Sequence, residues 1–245
     1  MSESPAPEPT DALADFIAKW RARWPEWAVA EAFVPTAQRQ AALVWATLQQ
    51  ELTDAAWGGS DPRPGEAKLG WWQEELAGWS RGARRHPLGQ VLQRQQAPWS
   101  TLAASLPSLA ASRERPANAD EAFAAIAPFA RAVARIDASL FAGPLEGGAD
   151  HDRDARPVSA ALLLSRLAQA DGNGVPLAAL ARAGDADPRP IWAHQLRERW
   201  PRHRPATRPR RLWTALARAR LEQPDPARPR PPWKTLATAW RAARG

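Results

Sequence analysis

The chain encodes an all-α protein. Its 245 residues include only 7 Val and 4 Ile, too few to supply many strands, while the good helix formers Ala, Leu, Arg, Glu and Gln dominate. Apolar residues recur at spacings of three and four, the period of a helix face. The 25 prolines fall mostly between these stretches, where they act as punctuation. The length suffices to bury the core of one large domain, and no composition shift demands a second. Residues 1–10, acidic and Pro-rich, are expected as a disordered leader, with one helical domain over 11–245.

Asp11 is positioned to cap a first helix that carries Leu13, Phe16, Ile17 and Trp20 and stops before Pro25, since the residue ahead of a proline is pushed out of the α region. The next helix, 36–56, places Ala41, Trp45, Leu48, Leu52 and Ala55 on one face. A Gly/Pro loop at 58–65 breaks it. Leu69, Trp72, Leu76 and Trp79 mark a third helix ending near Gly82, and Leu88, Val91 and Leu92 begin a fourth. Asn118 with Glu121 has capping-box spacing and opens a long helix striped by Ala122, Ile126, Phe129, Val133, Ile136 and Leu140. Pro128 lies within it and is expected to bend it. After a polar loop at 150–156 come a Leu-rich helix, 158–169, and a turn at 171–174. Short helices at 177–183, 191–200, 212–221 and 233–244 follow, with Pro231-Pro232 at the start of the last, where a missing N–H is harmless.

The absence of cysteine excludes disulfides, thiolate metal sites and Cys nucleophiles. The start is unlike a signal peptide, and no apolar run approaches the roughly 20 residues that span a bilayer. A cytoplasmic protein, at most peripheral to a membrane, is expected. The net charge of +7 is unevenly distributed. Residues 196–245 carry 14 Lys/Arg against Glu198, Glu222 and Asp225. Such a basic region, which begins near 190, can meet an anionic lipid surface, a diphosphate or nucleic acid.

The most distinctive run lies between Phe33 and Leu92: Phe33-Val34-Pro35, Arg39 and Ala41-Ala42-Leu43-Val44-Trp45-Ala46, then Lys68-Leu69, Trp71-Trp72-Gln73-Glu74-Glu75-Leu76 and His86-Pro87. Val175-Pro176-Leu177 and Leu180-Ala181-Arg182-Ala183-Gly184 stand further on. This layout resembles the squalene/phytoene synthase family, all-α enzymes that join two prenyl diphosphates head to head. The resemblance touches most of the chain. It implies a single helical domain of the isoprenoid synthase type with a reduced central cavity.

It also implies two places for Asp-rich motifs, whose carboxylates hold Mg²⁺ against a diphosphate so that its allylic C–O bond can ionise. At the first place the chain has Gln49-Gln50-Glu51-Leu52-Thr53-Asp54, where Glu51 and Asp54 have a usable i, i+3 spacing but the doubled aspartate is missing. At the second, over 164–175, only Arg166 and Asp171 remain. The implied protein is a catalytically degenerate synthase without a cofactor, acting by binding a protein partner or an isoprenoid ligand. Gln50-Glu51-Leu52 looks closer to a branch that resembles a mitochondrial complex I assembly factor, with the same motifs eroded. The alternative is an active prenyl transferase using Mg²⁺ with Glu51, Asp54 and Asp171. A basic nucleic-acid-binding protein built on the C-terminal Arg/Trp region is a third, less favoured reading.

Other motifs carry less. Asp150-His151-Asp152-Arg153-Asp154 alternates acids, but Ala155 and Ala161 stand where a calcium loop wants Gly and Glu. His86, His151, His194 and His203 show no metal spacing, and His86 is expected to be structural. Of the 14 Trp, Trp45, Trp72, Trp79 and Trp240 lie on apolar stripes and are expected in the core. Trp200, Trp213, Trp233 and Trp240, set among arginines, are the candidates for a membrane surface.

Overall fold

The computed structural model describes residues 9–142, 151–169 and 174–244. Among these residues it holds helices and turns and no strand. In order they are α1 Pro9–Arg23, α2 Trp27–Ala30 with a 3₁₀ turn over Glu31–Phe33, α3 Thr36–Trp57, α4 Arg63–Trp79, α5 Gly89–Leu92 and α6 Trp99–Ala111. There follow α7 Ala119–Phe141, α8 His151–Leu167, α9 Leu177–Ala183, α10 Arg189–Glu198, α11 Arg208–Leu221 and α12 Pro232–Arg244.

α3 is the central element. Every residue from Ala42 to Trp57 except Asp54 is buried, because α1, α4, α5 and α6 surround it. A helix covered on all sides must also bury its polar face, and Thr47, Gln49, Gln50, Glu51 and Thr53 are all enclosed. Thr47 and Thr53 satisfy their hydroxyls on backbone carbonyls one turn back. α4 approaches α3 at Gly65, where a Cβ would lie 2.1 Å from the Ala55 carbonyl oxygen. Only glycine permits that approach of two backbones. α7 packs between α6 and α8, and α11 joins α8, α10 and α12.

The indoles fill the core in two groups of edge-on contacts. Trp20, Trp24, Trp27 and Trp213 join α1, α2 and α11, with centroids 5.5–6.0 Å apart. Trp71, Trp72, Trp79, Trp99 and Trp45 join α4, α6 and α3 at 5.1–6.4 Å. Such geometries set the ring edge of one indole against the negative face of the next.

The capping expectation at α7 holds. Asn118 Oδ1 accepts from Glu121 N at 3.0 Å, and Glu121 Oε2 accepts from Ala117 N at 2.7 Å. Other expectations need correction. α1 begins at Pro9, so Asp11 lies inside its first turn rather than capping it; residues 1–8 of the expected leader lie outside the described residues. α4 begins at Arg63, within the expected loop, since Pro64 suits a first turn. The fourth helix is one turn only, α5; α6 is a separate helix that starts after Pro98. Of the polar loop expected at 150–156, residues 151–156 are instead the first turns of α8, where acids near a helix N-terminus are favourable, and residue 150 lies outside the described residues. The turn at 171–173 lies outside the described residues. Trp240, expected in the core, is 45% exposed, whereas Trp200 and Trp213 are covered by packing.

Candidate functional site

The two stretches where the resemblance places metal-binding carboxylates do meet in space. Asp54, on the last turns of α3, lines an open cleft of about 550 Å³ together with Trp57, and Ser165 and Gln169 border it from α8 and the residues just after it. Arg23 and Arg220 complete the charged lining. No second carboxylate faces Asp54 across this cleft among the described residues.

Three of the four sequence-selected residues, Glu51, Asp54 and Arg166, already have partners. Glu51 is buried, and its two oxygens accept from separate ammonium groups, Oε1 from Lys19 at 3.3 Å and Oε2 from Lys68 at 2.8 Å. Burial pushes its pKa up, but the hydrogen bond and charge of Lys68, then those of Lys19, outweigh that and hold it below the usual glutamate value. Asp54 Oδ1 accepts from Arg23 at 2.7 Å. Arg166 is buried and turned from the cleft: its guanidinium donates to the carbonyls of Arg113 and Glu114 and lies over Trp57. There it satisfies backbone beyond the end of α6. Asp171 lies outside the described residues.

Magnesium takes carboxylate oxygens that are free of competing cations. Glu51, with an ammonium on each oxygen, and Asp54, on a guanidinium, do not fit that demand. No group of three or more His, Asp or Glu able to hold a metal occurs among the described residues. In the acidic stretch at 150–154, Asp154 is bound by His203 at 2.6 Å and Asp152 is exposed beside Arg131.

Three buried carboxylates escaped the reading of the sequence. Asp137, on α7, accepts from Trp45 Nε1 at 2.8 Å and from Arg210 Nε at 2.7 Å, and Arg210 also donates to Gln49 Oε1. Glu26 accepts a two-pronged contact from Arg220, and Arg220 lies 3.9 Å from the Trp24 ring centre. Glu75 accepts from Trp79 Nε1 and from the amides of Arg85 and His86, which anchors the chain leaving α4. One signal was available: Asp137 lies one turn beyond Val133 on an apolar stripe, a place where a lone carboxylate needs a partner. Nothing local marks Arg210 or Arg220 as the cations that answer.

His86 supplies a pH test. Its ring packs against Phe16 and Trp72, at 4.7 and 4.5 Å between centroids, and Nδ1 accepts from Leu88 N. Burial lowers its pKa from 6.5 to about 4, against the pull of Glu51 and Glu75. Below pH 6.5 the unfolded chain therefore takes up a proton that the folded chain refuses until about 4. Stability falls as pH drops through that window. In His86→Phe the urea midpoint should depend less on pH between 6.5 and 4; an unchanged slope would show that the ring is not held neutral. Glu26, Glu51 and Glu75, whose pKa values lie below the usual 4.5, act lower. Their contribution is complete above 4.5 and is lost as pH falls beneath it.

The chain matches no protein-family model, no curated protein and no solved structure. No helix among the described residues is long and apolar enough to cross a membrane.

Proposed function

We propose that this is a catalytically degenerate protein of the squalene/phytoene synthase type, which acts by binding rather than by prenyl transfer. The observation that carries the reading is the state of Glu51. A carboxylate standing where the resemblance calls for a Mg²⁺ ligand is instead buried and shared by Lys19 and Lys68. To take a metal it would first have to shed two ammonium groups, and the metal would then sit beside them. Removing one preorganised electrostatic element already costs roughly 10²–10³ in rate; here the charge is answered by cations instead.

Packing supports the same conclusion. α3, which in such a fold borders the substrate cavity, is buried from Ala42 to Trp57 apart from Asp54, with Trp45 and Leu52 in the core. Space for a long prenyl chain along it is correspondingly small, which favours a protein partner over an isoprenoid ligand.

Incubation of the full chain with farnesyl or geranylgeranyl diphosphate and Mg²⁺ is expected to yield no head-to-head product by mass spectrometry. Product that Glu51→Gln abolishes would overturn this reading and establish an active transferase.

A further inference from the structure

The basic C-terminal region has two faces that the proposed function leaves unused, and they adjoin. The first is the outer side of α12. This helix packs its Thr235, Ala239 and Ala242 side against α2 and α11. Opposite stand Trp233, Leu236 and Trp240, exposed by 69%, 51% and 45%. At i, i+3 and i+7 they form one stripe, and no other Trp in the described chain is as exposed. Lys234 and Arg241, seven residues apart, run along one flank of that stripe. Arg244 lies over the Trp240 ring at 3.9 Å and Lys234 over the Trp233 ring at 5.2 Å.

The second face is a cleft of about 480 Å³ beside α12. Arg202, Arg204, Arg211, Arg218, Arg230 and Arg241 line it against a single carboxylate, Glu222. Arg204 is fixed there because it donates to the Arg241 and Ala242 carbonyls at the end of α12. Arg230 Nε is buried without a hydrogen-bond partner. Arg241 belongs to both faces, so the apolar stripe and the arginine cleft form one continuous surface.

We propose that this surface docks the protein on an anionic bilayer, with the indoles and Leu236 in the interfacial region and lipid phosphates at the arginine cleft. Charge complementarity selects the partner. Indoles prefer the membrane interface, and guanidinium groups bind phosphate oxygens in a planar, two-pronged way. A second copy of the chain fits poorly, since a two-fold contact through α12 would set each basic flank near its equivalent. Nucleic acid would use the cations and indoles but has no use for the exposed Leu236 between them. The proposal does not rest on the synthase-like reading, because neither Glu51 nor the cleft at Asp54 takes part.

The test is co-sedimentation of the full chain with vesicles of phosphatidylcholine, with and without phosphatidylglycerol. Binding is expected only with phosphatidylglycerol and should weaken steeply with salt, as the screening length shortens toward roughly 3 Å at 1 M. Trp233→Ala with Trp240→Ala should lower affinity by about tenfold or more, since binding scales with buried apolar area. Arg202→Gln, Arg218→Gln and Arg241→Gln together should remove the preference for the anionic lipid. All five positions are exposed, and an unchanged far-UV circular dichroism spectrum verifies that the variants fold. No vesicle binding at low salt, equal binding to neutral vesicles, or displacement of the protein by a single-stranded oligonucleotide at matched salt would each overturn the proposal. So would a dimer that Trp233→Ala dissociates.

Discussion

Asp137→Ala should destabilise the protein by about 3–5 kcal/mol, the usual cost of leaving a buried charge without its partner. Asp137 and Arg210 are both buried, and their contacts at 2.7 and 3.1 Å join the C-terminal part of α7 to the start of α11. Gln49 and Trp45 bring α3 into the same network. Removing the carboxylate leaves the Arg210 guanidinium with only the Gln49 amide oxygen and the Trp213 ring, 4.9 Å away. It also orphans the Trp45 indole N–H. Replacing both charges, as Asp137→Leu with Arg210→Met, should cost less, because no buried charge is then left without a partner, and the remaining loss is that of the Trp45 N–H and Gln49 amide hydrogen bonds. Urea unfolding of the two variants checks this. A loss below about 1 kcal/mol for Asp137→Ala, the size of an ordinary substitution, would mean that water reaches Arg210.

Glu26→Ala should cost a similar amount, about 3–5 kcal/mol for an abandoned buried cation, but its effect should be felt in another place. Glu26 stands between α1 and α2 and binds Arg220 of α11 with both oxygens, at 2.8 and 2.6 Å. Oε1 also accepts from the Arg230 amide, at the joint that leads into α12. This carboxylate thus seats the C-terminal helix on the N-terminal segment. Without it, amide exchange should quicken in residues 230–244 before it does in α7, whose contacts are mainly with α6 and α8 and which meets α11 through Arg210 rather than Arg220. Uniform acceleration through both would show that the pair supports the whole fold rather than the seating of α12.

The helical class and most helix positions were legible in the sequence because they depend on local chemistry. α9 begins and ends where its flanking Pro176 and Gly184 place it. The Asn118 cap acts as its spacing implies, since its partner lies three residues away. The start of α8 differs from the expectation for a physical reason: two acids and two Arg over 151–156 have the polarity of a loop, yet acids there are compatible with the first turns of a helix.

The candidate site was legible only as positions. Sequence alone identified Glu51 and Asp54 as carboxylates on one helix. That Glu51 is neutralised by Lys19, 32 residues before it, and Lys68, 17 after it, depends on how α1 and α4 cross α3. The same holds for Trp233 and Trp240. Their spacing matches that of core indoles, and only the packing of α12 through Thr235, Ala239 and Ala242 turns them outward. Local chemistry determines which segments become helices, since hydrogen bonds, caps and apolar period act within a few residues. Which face of a helix is covered, and which cation answers a carboxylate, is decided by contacts between segments far apart in the chain, and no local pattern encodes them.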